Sequence, residues 1–521
     1  MDNNRIDIEN YRHFLPDSQK LGYYGRLGTC FQTKNNYYFY DTGTGKIAKI
    51  TKNVYCVLEA LFENNSIESL YDLDLSEQDL YDALDEIKTG VMHSNILSAP
   101  LLQDMKGEMT IDLEGMLSDH MTTITLEMTQ DCNLVCKYCI YHPDHPSYRE
   151  FGKRHMTAET AKQSLDFLKK HSALNSEATY IGFYGGEPLL NFGIVKLVVE
   201  YAKEIFCDKE LHFNLTTNAI LLTEPVCDYL VKNDMSIMIS LDGPKELHDK
   251  NRIFANNQGS YDLVIKGIQT LLTSYETNDK APTFMINMVN AESELTEQYE
   301  LIHDFFSNAE WLPPDTPIIC NGVDNGPKAL HYILPQSSEE KQHTDSLEDA
   351  IGSWNDLKTN DQEKHMPSFV DRTIAQELIR IHKRMISQKP VESYFVNGCC
   401  TPGQRKAYVS VEGDIFPCER VGNNIPSLGN VRTGFDFSKT KKFYVDDYIE
   451  QSKTICKNCW AVNLCGMCYV NCYDETGIKL EYKHTLCLYE RLRIKSALIR
   501  YHKILENEPD RLRELNEIRV I

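Results

Sequence analysis

Three cysteines lie within eight residues of this chain, at Cys132, Cys136 and Cys139. The run Thr122–Thr129 before them alternates as a β-strand does, so the cysteines follow the C-terminal end of a strand. α/β barrels place their reactive residues at that end. A structural zinc site closes with four ligands, and no fourth Cys or His follows at the usual spacing, since His142 is only three residues on. Three thiolates on a short loop therefore favour an iron–sulfur cluster with one iron open to a further ligand.

A second field of cysteines lies toward the C-terminal end of the chain. Its members are Cys399, Cys400, Cys418, Cys456, Cys459, Cys465, Cys468, Cys472 and Cys487. Cys418 follows a predicted hairpin that turns at Glu412-Gly413. Because C-x2-C pairs are typical of zinc ribbons, zinc is the main alternative to iron–sulfur clusters when this field is considered alone.

The size and charge of the chain limit its function. At 521 residues it is long enough for about two to four domains. Its formal net charge of −22 disfavours nucleic acid and anionic membranes as partners, since both are bound by Lys and Arg clusters. The sequence has no membrane-length apolar run and no signal-peptide pattern, so we expect no membrane partner and a cytoplasmic location. Seventeen cysteines in such a protein indicate metal or redox chemistry.

Strand-like and helix-like segments alternate from Thr122 to about Val323. The predicted strands are Ile124–Thr129, Tyr180–Tyr184, Leu211–Thr216, Met235–Leu241, Thr283–Val289 and Pro317–Cys320. Helical patterns fill the gaps, for example at Ala158–Lys170, Gly193–Ile205 and Tyr261–Leu272. Because a full barrel has eight such repeats, this number predicts an α/β fold with a partial (β/α)6 TIM-like barrel.

A glycine-rich motif follows the second predicted strand. It consists of Gly185, Gly186, Glu187 and Pro188. Glycines let backbone groups approach a ligand closely, and the exposed carbonyls together with Glu187 can accept hydrogen bonds from an ammonium group. The next two strands end in small polar residues that suit ribose hydroxyls and a carboxylate, at Thr217, Asn218 and Ser240. Asp242-Gly243 is a common turn signal that needs no ligand.

The spacing C-x3-C-x-aromatic-C closely resembles the signature of the radical S-adenosylmethionine (SAM) superfamily. That resemblance implies a 4Fe–4S cluster whose open iron binds the amino and carboxylate groups of SAM, and an electron donor of the flavodoxin or ferredoxin type. It implies that SAM is cleaved to methionine and a 5′-deoxyadenosyl radical, which takes a hydrogen atom from the substrate. By the same resemblance Gly185–Pro188 holds the SAM amino group, Arg252 pairs with the SAM carboxylate, and Tyr138 packs near the adenine.

The order of the C-terminal cysteines resembles the SPASM extension of radical SAM enzymes. This implies two auxiliary 4Fe–4S clusters, and so three clusters in all. By resemblance the outer cluster is held by Cys456, Cys459, Cys465 and Cys487. The inner cluster would be held by Cys400 and Cys418 with Cys468 or Cys472.

The chain departs from the usual SPASM pattern in one place. Two residues, rather than three, separate Cys465 from Cys468, so Cys399, Cys468 and Cys472 all stay open as inner ligands. Glu419 directly follows Cys418, at a position where sulfatase-maturing members have an Asp, and is a candidate catalytic carboxylate.

The N-terminal region predicts a small winged-helix-like unit. Tyr37–Ile50 has the pattern of a hairpin, Asn53–Phe62 has one apolar helical face, and Ser76 opens a capping-box-like helix start. Eleven acidic against four basic residues between positions 37 and 92 argue against DNA binding. The unit resembles the PqqD-like peptide-recognition domain of maturases of ribosomally made peptides, in which a leader peptide adds a strand to the hairpin edge. The alternative is a structural cap on the barrel.

The predicted organisation has five segments. They are a recognition domain at 1–105, the barrel at 115–325, a bridge at 326–395 in which Phe369–Ile386 looks helical, the SPASM region at 396–490 and a helical tail without an assigned role at 491–521.

These features together predict a radical SAM/SPASM maturase that joins a Cys sulfur of a precursor peptide to a carbon through a thioether, as in ranthipeptides and sactipeptides. A carbon–carbon crosslink is the first alternative. A sulfatase-maturing oxidase, which makes formylglycine, is the second, although the N-terminal unit and Glu419 argue against it. A non-enzymatic iron–sulfur electron carrier or redox sensor would need no SAM pocket, so Gly185–Pro188 and Ser240 argue against it.

Overall fold

The computed structural model describes most of the chain, with gaps. The described residues are 11, 14, 23–142, 151–173, 176–290, 301–302, 304–314, 316–323, 376–396, 398–422, 425–474 and 477–517. No helix within these ranges is long and apolar enough to cross a membrane. Most of the predicted bridge at 326–395 lies outside them. So does the first part of the predicted helix Phe369–Ile386, of which residues 376–382 are helical.

The N-terminal unit is a three-stranded antiparallel sheet with two α-helices. Its elements are β1 (Gly28–Gln32), β2 (Tyr37–Asp41), β3 (Ile47–Ile50), α1 (Lys52–Asn64) and α2 (Glu77–Ser94). The strand order β1-β2-β3 leaves β3 at one edge. The predicted hairpin is confirmed as β2 and β3. Strand β1 was not predicted, and the connection between the helices is a 3-10 turn at Ile67–Asp72.

Local sequence signals set the ends of these helices. The Thr51 hydroxyl accepts a hydrogen bond from Val54 N–H, and Ser76 does the same for Asp79 N–H, so each caps a helix start. Asn65, at φ 50°, ends α1 in the left-handed conformation. The apolar face held between the caps packs with the sheet in one buried core.

Six parallel strands form the centre of the molecule. A connection made of β4 (Asp104–Lys106), α3 (Glu108–Ile111) and α4 (Leu113–Ser118) leads into them. The strands are β5 (Thr123–Thr129), β6 (Ala178–Gly185), β7 (Glu210–Thr217), β8 (Ser236–Ser240), β9 (Met285–Asn290) and β10 (Ile318–Gly322). The helices are α5 (Ala158–Lys170), α6 (Phe192–Ile205), α7 (Glu224–Lys232), α8 (Lys245–Asn251) and α9 (Tyr261–Thr277). The predicted strands and helices of this region are confirmed, with shifts only at their ends.

Alternation along β5 decides which side chains face the helices. Ile124, Leu126 and Met128 are fully buried in the main core with residues of α5 and α6. Thr125 points to the opposite face, where it lies beside Gly182 of β6. Along β5 that second face is polar.

The C-terminal cysteine region continues the same sheet. Strand β11 (Ser393–Phe395) pairs with β4 in a separate two-stranded sheet. The strands that join the central sheet are β12 (Lys406–Val409), β13 (Asp414–Phe416), β14 (Gly429–Asn430) and β15 (Gly434–Phe435). Strand β12 pairs in parallel with β5, and β13 to β15 follow antiparallel. The predicted turn at Glu412-Gly413 is confirmed, with Gly413 at φ 89°. The barrel and the cysteine region therefore share one ten-stranded sheet, which the sequence did not reveal.

One long helix joins the cysteine region to the N-terminal sheet. The last elements are α10 (Phe437–Thr440), α11 (Asp447–Cys456), β16 (Tyr473–Asp474), β17 (Gly477–Ile478) and α12 (Leu480–Asn507). The second half of α12 packs on Phe31, Tyr38 and Tyr40. Near its end Glu506 accepts hydrogen bonds from the Tyr38 hydroxyl and from Thr33. The tail that the sequence left without a role thus anchors the N-terminal sheet.

Candidate functional site

The three-cysteine loop (Cys132–Cys139) starts directly after β5, as the sequence predicted. Backbone hydrogen bonds fix it, because Val135 N–H donates to Ile253 O at 2.8 Å and Lys137 N–H donates to Asn251 O at 3.0 Å. Both acceptors lie at or just beyond the end of α8. The loop therefore rests on the segment that follows β8.

The thiols of this loop are largely buried and lie near one another. Burial raises the pKa of Cys136 to about 12, with Arg252 opposing and Cys139 adding to the rise. Burial also raises the pKa of Cys132, together with the charge of Glu187 and the other two cysteines. In the described part of the chain, no three His, Cys, Asp or Glu side chains converge as they would around a single metal ion. A metal deprotonates the thiols that bind it, and thiolates suit iron–sulfur clusters, so the donor set fits the predicted cluster.

The glycine-rich motif packs directly on the three-cysteine loop. A Cβ atom on Gly186 would lie 2.2 Å from the Asp131 carbonyl oxygen. Gly185 has φ +124°, and its Cβ would lie 2.4 Å from Thr129 O. The Gly186 N–H donates to Thr129 O at 2.8 Å. The glycines therefore let the motif approach the end of β5 and the start of the three-cysteine loop, and their contact with a ligand stays a prediction.

Glu187 is fully buried, and its carboxylate already has protein partners. It accepts hydrogen bonds from Leu189 N–H at 3.1 Å, the Thr217 hydroxyl at 2.9 Å and Asn218 N–H at 2.8 Å. Burial raises the pKa of Glu187 to about 7, against those hydrogen bonds. The hydrogen bonds from Thr217 and Asn218 fix the end of β7, and a contact of Glu187 with a ligand ammonium stays a prediction. Thr217 is likewise turned toward Glu187.

Asn218 reaches the three-cysteine loop. Its side-chain amide donates to the Asn133 Oδ1 atom at 2.6 Å and lies 3.9 Å from the Cys132 sulfur. Ser240 is the last residue of β8 and is almost fully buried beside Asp242. The structure thus gathers the predicted binding residues at the carboxyl ends of β5 to β8, while their contacts with SAM remain predictions.

Asp242 is the residue of this site whose role the sequence missed. Its carboxylate accepts from Arg252 Nε at 2.9 Å and Nη2 at 3.0 Å, and from Val289 N–H at 2.9 Å. The Tyr138 hydroxyl also donates to it, and the Arg252 guanidinium lies 5.4 Å from the centre of the Tyr138 ring. Arg252, predicted to meet a ligand carboxylate, therefore has Asp242 as its partner. An Asp at a strand end with an Arg shortly after it was the available signal.

His248 completes this buried network. Its Nδ1 accepts from Asp242 N–H at 3.4 Å, and its Nε2 lies 3.0 Å from the Ser260 hydroxyl. Burial, followed by the positive charge of Arg252, lowers the pKa of His248 to about 4. His248 is therefore neutral at physiological pH.

A second buried carboxylate, Glu127, ties the barrel to the C-terminal hairpin. It accepts from the Tyr141 hydroxyl at 2.7 Å and from Val411 N–H at 3.0 Å, and the Tyr408 hydroxyl lies 3.5 Å from that of Tyr141. Glu127 was not among the residues predicted for the site. Its position on the inward face of β5, where apolar alternation leaves a charged residue, was the signal.

The four cysteines predicted for the outer cluster lie together. Burial raises the pKa of Cys487 to about 12, and Cys459, Cys456 and Cys465 add to the rise. Cys456 is the last residue of α11, Cys487 lies in α12, and Cys459 N–H donates to Cys456 O at 3.1 Å. Two helices and the loop between them thus gather these thiols, and their role as ligands remains a prediction.

Cys468 is the neighbour of the cysteines predicted for the inner cluster. Burial raises its pKa, and Cys399, Cys400 and Cys418 add to the rise. Cys472 is fully buried, and its pKa is raised by Cys468 as well as by Cys487 and Cys465 of the outer group. It therefore lies between the two groups. This proximity favours Cys468 over Cys472 as the partner of Cys400 and Cys418.

Glu419, the candidate catalytic carboxylate, is paired with Lys406, whose Nζ lies 2.5 Å from Glu419 Oε2. Lys406 is level with Thr123 at the start of β5. Because the three-cysteine loop follows the other end of β5, roughly 20 Å of strand separates the two sites. Lys406 and the three-cysteine loop thus lie at opposite ends of β5, and a catalytic role for Glu419 stays a prediction.

The edge strand of the N-terminal sheet borders an elongated apolar cavity of about 320 Å³. Its walls are β3, the side chains of Val54 and Leu58 from α1, and Ile87 and Gly90 from α2. The Asp41 N–H donates to Lys46 O, so the backbone N–H and C=O groups of Lys46 point toward β2. Because this direction alternates along an antiparallel strand, those of Ala48 also point toward β2. The N–H and C=O groups of Ile47 and Lys49 point away from the sheet. The edge can therefore accept a further strand.

Comparison with known proteins identifies the central part of the chain. Residues 126–291 match the family model of the Radical SAM superfamily, so this part is a radical SAM domain. An uncharacterised protein of Methanocaldococcus jannaschii is 30% identical over 172 residues, which are 32% of this chain and 56%, about half, of that protein. A cysteine-type anaerobic sulfatase-maturating enzyme of Clostridium novyi is 23% identical over 349 residues, or 65% of this chain and 84% of that enzyme.

Solved structures share the fold. Native anSMEcpe with bound AdoMet matches with a TM-score of 0.52 and 19% identity, covering 74% of this chain and 99% of its own. The same protein with bound AdoMet and the Cp18Cys peptide matches with a TM-score of 0.50 and 18% identity, again over 74% and 99%. At this identity the likeness concerns the fold.

Proposed function

We propose that this protein is a radical SAM maturase that installs an intramolecular thioether in a ribosomally made precursor peptide. The observation that carries the proposal is the outward edge of β3, which no strand of the described residues covers, beside an apolar cavity. The same chain also holds a radical SAM domain and two groups of C-terminal cysteines.

The leader peptide would bind at β3. A segment added as a strand would receive main-chain hydrogen bonds from Ile47 and Lys49, and every second side chain would enter the cavity beside Val54 and Leu58. This mode of binding needs no conserved motif in the leader beyond alternating apolar residues.

The chemistry would take place at the three-cysteine loop. A 4Fe–4S cluster and SAM bound there would supply hydrogen-atom abstraction from the peptide. The protein would hold the site rigid: Glu187 fixes the end of β7, Asn218 spans to the loop, and Asp242 fixes Tyr138 and Arg252. Clusters on the C-terminal cysteines would supply an electron acceptor and iron that can bind a peptide thiolate, which is why a thioether is preferred to a carbon–carbon link.

Oxidation of a Cys or Ser to formylglycine is the second candidate. The C. novyi relative bears the name of a sulfatase-maturating enzyme and covers about two thirds of this chain. Glu419, which is paired with Lys406, stands where sulfatase-maturing members have an Asp and argues against this candidate.

The test is to co-express this protein, without oxygen, with a short Cys-containing peptide encoded beside it. A thioether makes the peptide lighter by a pair of hydrogens per crosslink, and the cysteine used no longer reacts with iodoacetamide. The control is a variant with Cys132, Cys136 and Cys139 replaced by Ala, which leaves the peptide unmodified. If the mass falls but every cysteine still alkylates, the link is carbon–carbon. If a Cys loses its thiol and an aldehyde appears, the formylglycine candidate is correct.

A further inference from the structure

A lysine is buried between the two groups of C-terminal cysteines. Lys483 is 2% exposed. Its ammonium donates to the Ser452 hydroxyl at 2.6 Å and to the Tyr448 hydroxyl at 3.0 Å, and it lies 4.2 Å from the centre of the Tyr448 ring. Within the described ranges, no Asp or Glu forms an ion pair with it.

Lys483 and its partner Ser452 each lie one helical turn before a cysteine of their own helix. It precedes Cys487 by four positions on α12, and its partner Ser452 precedes Cys456 by four positions on α11. Residues four apart lie on one face of a helix, so the Lys483–Ser452 hydrogen bond joins the two faces that carry these outer cysteines. Among the cysteines, Cys456 and Cys472 have the largest electrostatic effect on the pKa of Lys483, which they raise. Cys456 belongs to the outer group, and Cys472 lies between the groups.

A buried ammonium group that is satisfied only by hydroxyls is costly. Removing such a charge from water without an opposite charge costs several kcal/mol, and native proteins avoid it. The protein sulfurs around Lys483 carry negative charge only when they are deprotonated, which is the state in which they bind metal. A cluster with four thiolate ligands is an anion in both of its common oxidation states, and it is more negative when reduced.

We propose that Lys483 is the counter-charge of the C-terminal iron–sulfur clusters and raises the reduction potential of the outer one. The inference rests on the proposed assignment of these cysteines to clusters. Net charge near a cluster is one of the factors that set its potential, and a positive charge stabilises the reduced form. Lys483 thereby makes the outer cluster a better electron acceptor.

The experiment measures the potentials of the C-terminal clusters alone. Full-length protein carrying Ala at Cys132, Cys136 and Cys139 is reconstituted without oxygen, and its clusters are titrated by electron paramagnetic resonance. In this background we expect Lys483→Met to shift one midpoint potential to a more negative value, with the iron content unchanged. Lys483→Arg keeps the original potential. Lys457→Met is the matched control, because it removes the same charge beside Cys456 from an exposed side chain and leaves the potential in place.

Other outcomes separate charge from geometry. Ser452→Ala weakens the contact between the helices but keeps the charge, so a shift as large as that of Lys483→Met overturns the proposal, as does full iron with no shift in Lys483→Met. If Lys483→Met loses iron, the proposal requires that Lys483→Arg, which keeps the positive charge, retains iron. It also requires that Lys483→Gln, which removes the charge, loses iron. Full iron and an unchanged potential in Lys483→Gln overturn the proposal. Absence of C-terminal iron in the background protein itself refutes the cluster assignment, and so the proposed function.

Discussion

The Arg252 guanidinium and the Asp242 carboxylate form a buried two-point ion pair beside the three-cysteine loop. Asp242 lies just after β8 and Arg252 just after α8, and both also contact Tyr138 within the loop. The pair therefore connects the three-cysteine loop to the central sheet, and it compensates the buried charge of Arg252.

Asp242→Asn should break this connection. Removal of one partner leaves the Arg252 charge buried and unpaired, so we expect the unfolding free energy to fall by about 3–5 kcal/mol. The cluster proposed at the three-cysteine loop should also lose iron. Denaturant unfolding and iron analysis measure the two effects. Asp446→Asn, which breaks an exposed pair with Lys441, is the control and should change neither. Stability like that of the unmodified protein in Asp242→Asn would contradict the role of the pair.

Gly186→Ala should separate the glycine-rich motif from the three-cysteine loop. The new methyl group would lie 2.2 Å from a backbone oxygen, which no side-chain rotation relieves. We expect the unfolding free energy to fall by about 1–3 kcal/mol. We also expect the change in absorbance that SAM causes at the cluster of the three-cysteine loop to be lost. Gly193→Ala is the matched control, since nothing lies within 4 Å of its Cβ in α6. Equal behaviour of the two variants would show that the loops have room to move apart.

His248 should make stability depend on pH in the acid range. Its pKa falls from 6.5 to about 4 on folding, so it stabilises the fold above pH 6.5 and that contribution is lost as the pH falls toward about 4. The full loss is about 3 kcal/mol. His248→Gln should remove this part of the pH dependence in denaturant unfolding, whereas His93→Gln, at an exposed position, should keep it. Parallel pH profiles for the unmodified protein and His248→Gln would contradict the assignment.

Lys49→Pro should weaken leader binding without unfolding the N-terminal sheet. The Lys49 N–H faces away from β2, so proline removes a hydrogen bond to a bound strand but none within the sheet. Loss of one such bond should weaken affinity roughly 3- to 10-fold by fluorescence anisotropy. Lys49→Ala keeps the N–H and should bind as before. Equal affinity of the two variants would place the leader elsewhere. Truncation is a poorer test, because it would expose the face of α12 that packs on Tyr38 and Tyr40.

The sequence by itself determined the central strands and helices, the N-terminal hairpin and the position of the three-cysteine loop. These features depend on local signals, namely alternation, helical periodicity, capping residues and cysteine spacing, which act over a few residues. The same is true of the turn at Gly413, where a positive φ requires glycine.

Only the tertiary structure decided which polar groups satisfy one another. Folding pairs Glu187 with the end of β7, and it joins Asp242 to Arg252 and to the Val289 N–H. Lys483 carried no sequence signal at all. The physical reason is that burial makes an unpaired charge costly, so the partner that ends nearest in space decides its role, and proximity in space is fixed by the packing of whole strands and helices.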